Sequence, residues 1–249
     1  MIPKTIHYCW FGGKPLPELA VKCIESWKKY LPDYEIIEWN ENNFDVNIIP
    51  YTKEAYEAKK YAFVSDYARF WILYHYGGLY FDTDVEVIKP MDDIIYKGPF
   101  MGCESDVKEN GKPEDLGVAP GLGLGANPGL GLYKEILDIY KSLSFYREDG
   151  TLNMKTVVEY TTELLCSHGL KNIKGIQKCA EIYIYPKEYF CPIDIYTKKI
   201  NIKSNSYTIH HYAASWVSNS FKTRLLISKL LGKRVGDFFS KIYNLCRIK

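Results

Sequence analysis

One stretch of the chain, from Tyr61 to Glu86, constrains the fold more than any other because it joins a helix pattern to an acidic strand end. Between Ala62 and Tyr76 there is no proline or glycine, and aromatic residues recur every three or four positions. Residues at that spacing share one face of an α-helix. The stretch therefore predicts a helix over 62–76 whose aromatic face packs in a core.

The end of this stretch carries two alternating carboxylates. Gly77-Gly78 supplies the left-handed residue that commonly ends a helix, and an apolar strand over 79–81 then leads to Asp82-Thr83-Asp84. In an extended segment, residues i and i+2 point to the same side, so we expect the two carboxylates to converge. Like charges this close repel unless a cation lies between them, and Mg²⁺ and Mn²⁺ favour oxygen ligands. The pattern predicts a divalent metal site, and a solvated turn is the alternative that stays open.

A second charged pair lies within the predicted helix. Asp66 and Arg69 are three residues apart, so they share a helix face and can meet a ligand or each other. Carboxylates at the end of a buried strand are where α/β proteins place their ligands. The helix pair and the strand-end pair are therefore expected to belong to one site.

These segments resemble a known family when they are taken together. SDYARF (65–70) and GGLYFDTDV (77–85) are similar to glycosyltransferase family 32, which contains bacterial capsular polysaccharide transferases and is related to the clostridial glucosylating toxins. IPKTIHYCWFGG at the start of the chain and HHYAASW (210–216) resemble the same group. The resemblance implies an α/β protein of the GT-A type, with a mixed, mostly parallel central sheet flanked by helices. The β-α-β alternation of the first part of the chain also indicates a parallel sheet.

The resemblance implies roles for individual residues. Asp82 and Asp84 would hold Mn²⁺ or Mg²⁺, and Asp66 and Arg69 would bind the hydroxyls of the donor sugar. His211 is the candidate for a third metal ligand, from its spacing to the following tryptophan. The rival for that role is His210, and the further donor-binding residues implied are Tyr8, Trp10, Thr83 and Trp216. Trp10 would stack on the base of the nucleotide, and a tryptophan of the core is the alternative for this position.

The expected function follows from these roles. The resemblance implies a metal-dependent, retaining transfer of a sugar from a nucleotide-sugar, in the first instance a UDP-sugar. The acceptor would be a glycan or a lipid-linked glycan in surface or capsular polysaccharide synthesis. A non-catalytic sugar-binding module is an alternative, although the intact set of Asp66, Arg69, Asp82 and Asp84 argues against it. A metal-dependent phosphoesterase is a further alternative, disfavoured because the 5 histidines are scattered.

Composition excludes several other classes of protein. A net charge of +2 argues against a nucleic-acid-binding surface over the whole protein. The 7 cysteines are irregularly spaced without a C-x-x-C pair, so neither a zinc ribbon nor a disulfide framework is predicted. They are expected to be reduced thiols of a cytoplasmic protein. The N-terminus lacks the pattern of a signal peptide, and no apolar run is long enough to cross a bilayer.

The last thirty residues differ in character from the rest. Eight basic residues and only one acid, Asp237, lie between Phe221 and Lys249, with leucines and aromatic residues at helical spacing. We expect a transferase domain over 1–219 and a basic amphipathic tail over 220–249. Such a tail suits an anionic membrane surface, which would place the protein at the inner face of the cytoplasmic membrane. A tail that packs on the body with a solvated basic face is the alternative.

Two further segments bear on the site. The repeat Gly121-Leu-Gly-Leu-Gly lacks the lysine and serine of a phosphate-binding loop, so it predicts close backbone packing. A helix is predicted over 151–168, where the family often carries Thr-Gly-Pro and this chain has Thr156-Val157-Val158. Residues that bind the acceptor are therefore not carried over from that stretch.

Overall fold

The first third of the chain alternates strands and helices, as its hydrophobic pattern predicts. The computed structural model describes residues 1–194, 197 and 199–213, so the predicted tail and Trp216 lie outside the described residues. Its first elements are β1 (Thr5–Cys9), α1 (Glu18–Tyr30), β2 (Glu35–Trp39), α2 (Pro50–Glu57) and α3 (Tyr61–Tyr76). The aromatic helix predicted over 62–76 is thus confirmed as α3.

Shorter elements follow α3 along the described chain. They are β3 (Gly78–Tyr80), β4 (Val85–Val87), α4 (Asp92–Ile95), β5 (Phe100–Gly102), β6 (Leu124–Ala126), α5 (Gly131–Lys141), α6 (Val157–Ser167), β7 (Gln177–Cys179), β8 (Ile182–Tyr185), α7 (Lys187–Phe190) and β9 (Thr208–His210). Two 3₁₀ turns, Pro113–Leu116 and Pro120–Leu122, lie in the long connection between β5 and β6.

Seven of the strands form one sheet in the order β2-β1-β3-β6-β5-β8-β7. Strands β1, β2, β3, β5 and β8 run in one direction, whereas β6 and β7 run in the opposite direction. The predicted fold class is therefore confirmed: the sheet is mixed and mostly parallel, as the GT-A type requires. Strands β4 and β9 pair separately as an antiparallel ribbon.

Helices cover both faces of this sheet. Side chains alternate along β1, so that Ile6 and Tyr8 belong to one hydrophobic cluster and Cys9 belongs to the other. The cluster with Cys9 takes in buried residues of α2, α3, α5 and α6, and the opposite cluster takes in those of α1, α4 and α7. Two buried cores thus fix the sheet between layers of helices.

The strand directions bring several chain segments to a single edge of the sheet. Because β1, β3, β5 and β8 run the same way, their carboxyl ends meet at that edge, where ligands bind in α/β sheets. The residues that follow these ends are Trp10, Phe81, Cys103 and Pro186. We refer to this as the ligand edge.

The predicted helix over 151–168 starts later than its pattern suggests. Helix α6 begins at Val157 because Thr156 and Glu159 form a capping box. The Thr156 side chain accepts the N–H of Glu159, and the Glu159 carboxylate accepts the N–H of Thr156 at 2.7 Å. This reciprocal cap satisfies backbone donors at the helix start, so the chain before it does not continue the helix.

The glycine repeat after the long loop packs backbone against side chains, as predicted. A Cβ built on Gly125 would lie 2.4 Å from Phe100 Cε1, and one on Gly123 would lie 2.8 Å from Phe81 Cε1. Gly123 also has a φ of +128°. Only residues without a side chain fit at these positions, because the neighbouring rings belong to the core.

Candidate functional site

Helix α3 places two charged side chains against the ligand edge. Arg69 Nη2 lies 2.9 Å from Asp66 Oδ1 and 3.3 Å from Asp82 Oδ1. The side chains of Arg69 and Asp66 are only 4% and 11% exposed. Arg69 Nε also donates to the carbonyl oxygen of Ser65 at 3.1 Å. The guanidinium therefore links the helix to the acidic segment, as the prediction of one shared site requires.

The two strand-end carboxylates converge by a different route from the one predicted. Strand β3 ends at Tyr80, and the segment from Asp82 to Asp84 forms a turn in which Val85 N donates to Asp82 O at 3.0 Å. The expectation of an extended segment with alternating side chains is therefore wrong here. The chain must change direction between β3 and β4, and a hydrogen bond between residues i+3 and i is how a turn does this.

A histidine from the end of the chain's last described strand joins the carboxylates. The β4–β9 register pairs Val85 with His210, and His210 Nε2 lies 3.1 Å from Asp84 Oδ1. Ligand-capable atoms of Asp82, Asp84 and His210 all lie within 4.8 Å of one another. Two carboxylate oxygens and one imidazole nitrogen form a donor set that suits Mn²⁺, and the carboxylates also suit Mg²⁺. These three residues fit the metal that the sequence implied.

The neighbouring histidine faces a different carboxylate. His211 Nε2 lies 2.8 Å from Glu86 Oε2, and Glu86 also pairs with Lys22 at 3.3 Å. Consecutive residues at a strand end point to opposite sides, so His210 and His211 cannot both turn toward Asp84. The prediction that His211 is the third ligand does not agree with this geometry. His210 replaces it as the candidate.

Charge interactions keep Asp84 ionised. Burial would raise the pKa of Asp84, but attraction to His210, a hydrogen bond from it and the N–H of Ala213 lower the pKa to about 2. Burial would lower the pKa of His210, whereas Asp84 raises it above its ordinary value. Asp84 is therefore a negatively charged oxygen donor, as a metal ligand must be, whereas His210 must lose the proton on Nε2 in order to bind a metal.

Burial and neighbouring charges also shift the pKa values of the buried groups around Arg69. Burial raises the pKa of Asp82, with Arg69 opposing this rise and Asp84 adding to it. Burial raises the pKa of Asp66 to about 7, although Arg69 lowers it. Burial would lower the pKa of Arg69, but Asp82, Tyr80 and Asp66 together raise it, so the guanidinium stays charged. Arg69 is therefore the fixed positive group of the site.

Two residues of the site were not assigned to it from the sequence. The Tyr80 hydroxyl donates to Asp82 Oδ1 at 3.2 Å, and the Arg69 guanidinium lies over the Tyr80 ring at 5.1 Å from its centroid. Gly121 O is 3.4 Å from Asp82 N. The position of Tyr80, two residues before Asp82, was the one local signal that could have identified it.

The other predicted donor-binding residues lie at or near the ligand edge. Trp10 follows β1, is half-buried, and its Nε1 donates to Lys14 O at 2.6 Å. The Tyr8 side chain is buried, and its hydroxyl donates to Glu38 Oε2 at 2.6 Å. Thr83 is half-buried within the acidic turn. The roles of these residues in donor binding stay predictions, and Trp216 is outside the described residues.

Comparisons with known proteins point to one family. Residues 17–101 match the family described as "Glycosyltransferase sugar-binding region containing DXD motif". Inositol phosphoceramide mannosyltransferase 1 of Schizosaccharomyces pombe is 33% identical over 111 residues, which cover 40% of this chain and 33% of that protein. Mannosyl phosphorylinositol ceramide synthase CSH1 of Saccharomyces cerevisiae is 26% identical over 185 residues, which cover 73% of this chain and 46% of that protein.

The chain thus spans between a third and a half of the length of these two curated relatives. The solved PaToxG glycosyltransferase is similar over 67% of this chain and 69% of its own, with 20% identity and a TM-score of 0.48. The matched region contains both charged pairs of the site, Asp66 with Arg69 and Asp82 with Asp84. Residues 17–101 of this chain are therefore similar to the sugar-binding region, with its DXD motif, of a family of glycosyltransferases.

Proposed function

We propose that this protein is a metal-dependent glycosyltransferase that moves a sugar from a nucleotide-sugar to a glycan or lipid-linked acceptor. The observation that carries the proposal is the cluster of Asp82, Asp84 and His210, whose ligand-capable atoms lie within 4.8 Å of one another. Arg69 and Asp66 lie directly beside it, at the end of the sheet where ligands bind. Metal ligands and sugar-binding groups would therefore face the same donor molecule.

Each part of the cluster has a defined task in this proposal. Asp82, Asp84 and His210 would hold Mn²⁺ or Mg²⁺, which neutralises the negative charge that develops on the leaving nucleoside diphosphate. Arg69 donates hydrogen bonds and Asp66 accepts them, so together they can bind neighbouring hydroxyls of the donor sugar in fixed geometry. The hydrogen bond from Tyr80 and the ion pair with Arg69 hold Asp82 in place before the donor arrives.

The donor and the stereochemistry are finer parts of the proposal. The family resemblance supports a UDP-sugar and retention of configuration. The two curated relatives are named as enzymes of mannose transfer and of mannosyl phosphorylinositol ceramide synthesis, so a mannose donor belongs in the same test. Trp10, at the end of β1, is the proposed platform for the base.

The acceptor is proposed from two separate lines. Family resemblance favours a glycan or lipid-linked glycan of surface or capsular polysaccharide synthesis. The names of the curated relatives refer to ceramide lipids, which favours an acceptor with a lipid portion. Within the residues that the structure describes, no helix has the length and apolar character of a membrane span. We propose a cytoplasmic protein in which the basic tail, 220–249, attaches to the inner face of the membrane.

A panel of radiolabelled UDP- and GDP-sugars tests this function. Each donor is incubated with Mn²⁺ or Mg²⁺, alone and with an extract of membrane lipids, and free sugar and labelled lipid are measured. We expect slow release of sugar from one donor without acceptor, and loss of that release when the metal is chelated. Binding of a nucleotide-sugar without turnover under any condition would instead support a non-catalytic module. Metal-dependent hydrolysis of p-nitrophenyl phosphate without sugar release would support a phosphoesterase.

A further inference from the structure

A second pair of charged side chains lies at the ligand edge, on the far side of the sheet from Trp10. Parallel strands β5 and β8 pair Gly102 with Tyr185 at their ends. Glu104 and Lys187 each follow two residues later, Lys187 as the first residue of α7, so both lie just beyond neighbouring strand ends, and the charge of Lys187 acts on the Glu104 carboxyl. The family resemblance assigned neither residue, and neither belongs to the metal cluster described above.

The pair lies close to the metal cluster but separate from it. In the sheet, β5 is separated from β3 by the single strand β6. Adjacent strands are about 4.8 Å apart, so the ends of β3 and β5 are about 10 Å apart. The charges of Glu104 and His210 also attract each other, in keeping with this short separation. A molecule bound at Glu104 would therefore lie next to a donor held by Arg69 and Asp82.

The Glu104 side chain is positioned by backbone contacts. Its N–H donates to Gly117 O at 2.9 Å, and a Cβ built on Gly117 would lie 3.0 Å from Glu104 Cγ. Gly117 has a φ of +56°, which glycine adopts without strain. The long loop between β5 and β6 thus closes against the stem of the Glu104 side chain and restricts its movement.

The Glu104 carboxylate has capacity left for hydrogen bonds. It is half-buried, and no described residue donates a hydrogen bond to its oxygens. Burial raises the pKa of Glu104, while the charges of His210 and Lys187 lower it. A carboxylate has no donor of its own and can accept several hydrogen bonds. The position suits a ligand that brings hydroxyl donors.

We propose that Glu104 and Lys187 form a binding subsite for a neutral polyhydroxylated ring, such as a sugar or a cyclitol. The carboxylate would accept hydrogen bonds from hydroxyl groups, and the ammonium would donate to hydroxyl oxygens. Because the two charges cancel, an anion such as phosphate gains no net attraction there. In the proposed transferase, this subsite binds the acceptor; that identification rests on the proposed function, whereas binding of the polyol does not.

Saturation-transfer NMR with simple polyols tests the subsite directly. The probes are myo-inositol and the methyl glycosides of α-mannose, α-glucose and β-galactose, each with the full chain, Mg²⁺ and UDP. The variants are Glu104→Ala, the isosteric Glu104→Gln and Lys187→Met. The control is Glu109→Ala, which removes an exposed carboxylate from the same loop. Calorimetry with UDP and Mg²⁺ on every variant checks the donor site and the fold.

We expect at least one probe to bind the parent and Glu109→Ala equally. Loss of a hydrogen bond to a charged group should weaken that binding about tenfold or more in Glu104→Ala, and less in Glu104→Gln. UDP binding should stay unchanged in both. Absence of binding in the parent, or unchanged binding in Glu104→Ala, would overturn the subsite. Loss of UDP affinity in Glu104→Gln would also overturn it, by assigning Glu104 to the donor site.

The same measurements separate this inference from the proposed function. Polyol binding that depends on Glu104 in a protein that turns over no nucleotide-sugar would support the subsite and contradict the transferase. Donor turnover without polyol binding would support the transferase and contradict the subsite.

Discussion

Gly121 lies against the carboxylate of Asp82, so closely that a Cβ built on Gly121 would be 2.2 Å from Asp82 Oδ2. The same Cβ would be 3.4 Å from Arg69 Nη1. Asp82 cannot readily move away, because Arg69 and the Tyr80 hydroxyl hold its other oxygen. The first glycine of the repeat is therefore part of the metal site, since it leaves room for the carboxylate.

We predict that Gly121→Ala disrupts the site. The added methyl group must displace Asp82 or the backbone, and overpacking of this kind costs about 1–3 kcal/mol of stability. The free energy of Mn²⁺ binding, measured by calorimetry, should become less favourable by at least the same amount. Gly131→Ala is the matched control, because no atom lies within 4 Å of a Cβ at that position. Equal Mn²⁺ affinity in the two variants would show that the Asp82 carboxylate does not bind the metal.

The two histidines at the end of β9 should differ sharply in their effect on metal binding. His210 lies 3.1 Å from Asp84, whereas His211 lies 2.8 Å from Glu86. We predict that His210→Ala weakens Mn²⁺ binding about tenfold or more, because it removes a ligand, and that His211→Ala leaves the affinity within about twofold.

Asp82→Asn and Asp84→Asn serve as references for loss of a ligand. Each should lose several kcal/mol of transition-state stabilisation, which lowers metal-dependent donor turnover on the order of a thousandfold. Electron paramagnetic resonance of Mn²⁺ titrations gives the affinities without needing turnover. A larger loss in His211→Ala than in His210→Ala would return the third ligand to His211.

Trp10 provides a test of donor binding that is independent of the metal. Its indole is half-buried at the end of β1, next to the strand that leads to Asp82. If the base stacks on it, Trp10→Ala should weaken UDP binding by about 1–3 kcal/mol, the usual range for stacking on an aromatic side chain. Trp10→Phe should recover part of the loss. Unchanged affinity for UDP in a folded Trp10→Ala variant would assign the residue to the core alone.

His7 is held neutral in the core by two hydrogen bonds. Trp39 Nε1 donates to His7 Nδ1 at 3.0 Å, so the ring proton is on Nε2 and donates to Gly77 O, also at 3.0 Å. Burial lowers the pKa of His7 to about 4 from 6.5, although the bond to Gly77 opposes this. The folded state therefore binds a proton on His7 only at a lower pH than the unfolded state does.

This shift predicts how stability depends on pH. Between pH 6.5 and pH 4 the unfolded chain binds more protons at His7, so the free energy of unfolding falls as the pH falls. His7 alone should account for a loss of about 2 kcal/mol between pH 7.5 and pH 5. Urea denaturation of the parent and of His7→Asn at both pH values measures it, and the variant should lose less stability on acidification. His75→Asn, at an exposed position, should behave like the parent.

The basic tail should control attachment to membranes. Each basic residue near an anionic surface contributes about 1 kcal/mol, and salt weakens this attraction. We predict that the full chain sediments with anionic liposomes at low salt and is released at high salt. Replacement of Lys229, Lys233, Arg234 and Lys241 by glutamine should abolish sedimentation while leaving UDP binding unchanged. Liposome binding equal to that of the parent would show that the tail has no membrane role.

Local patterns in the sequence determined much of the architecture. The aromatic spacing over 62–76 predicted α3, and the apolar segments around it predicted the parallel strands, because helix and strand periods are properties of neighbouring residues. The same local logic identified both charged pairs of the site, Asp66 with Arg69 and Asp82 with Asp84. The glycine repeat that begins at Gly121 was correctly predicted to pack closely. The sequence did not indicate which residues it packs against.

Only the tertiary structure decided which distant residues meet. The choice between His210 and His211 depends on the pairing of β9 with β4, and a shift of one residue in that register would exchange their sides. Glu104 and Lys187 come together because β5 and β8 are neighbours in a sheet whose order departs from the order of the chain. Such contacts arise from packing across the whole sheet, so they are not predicted by the periodicity of any one segment.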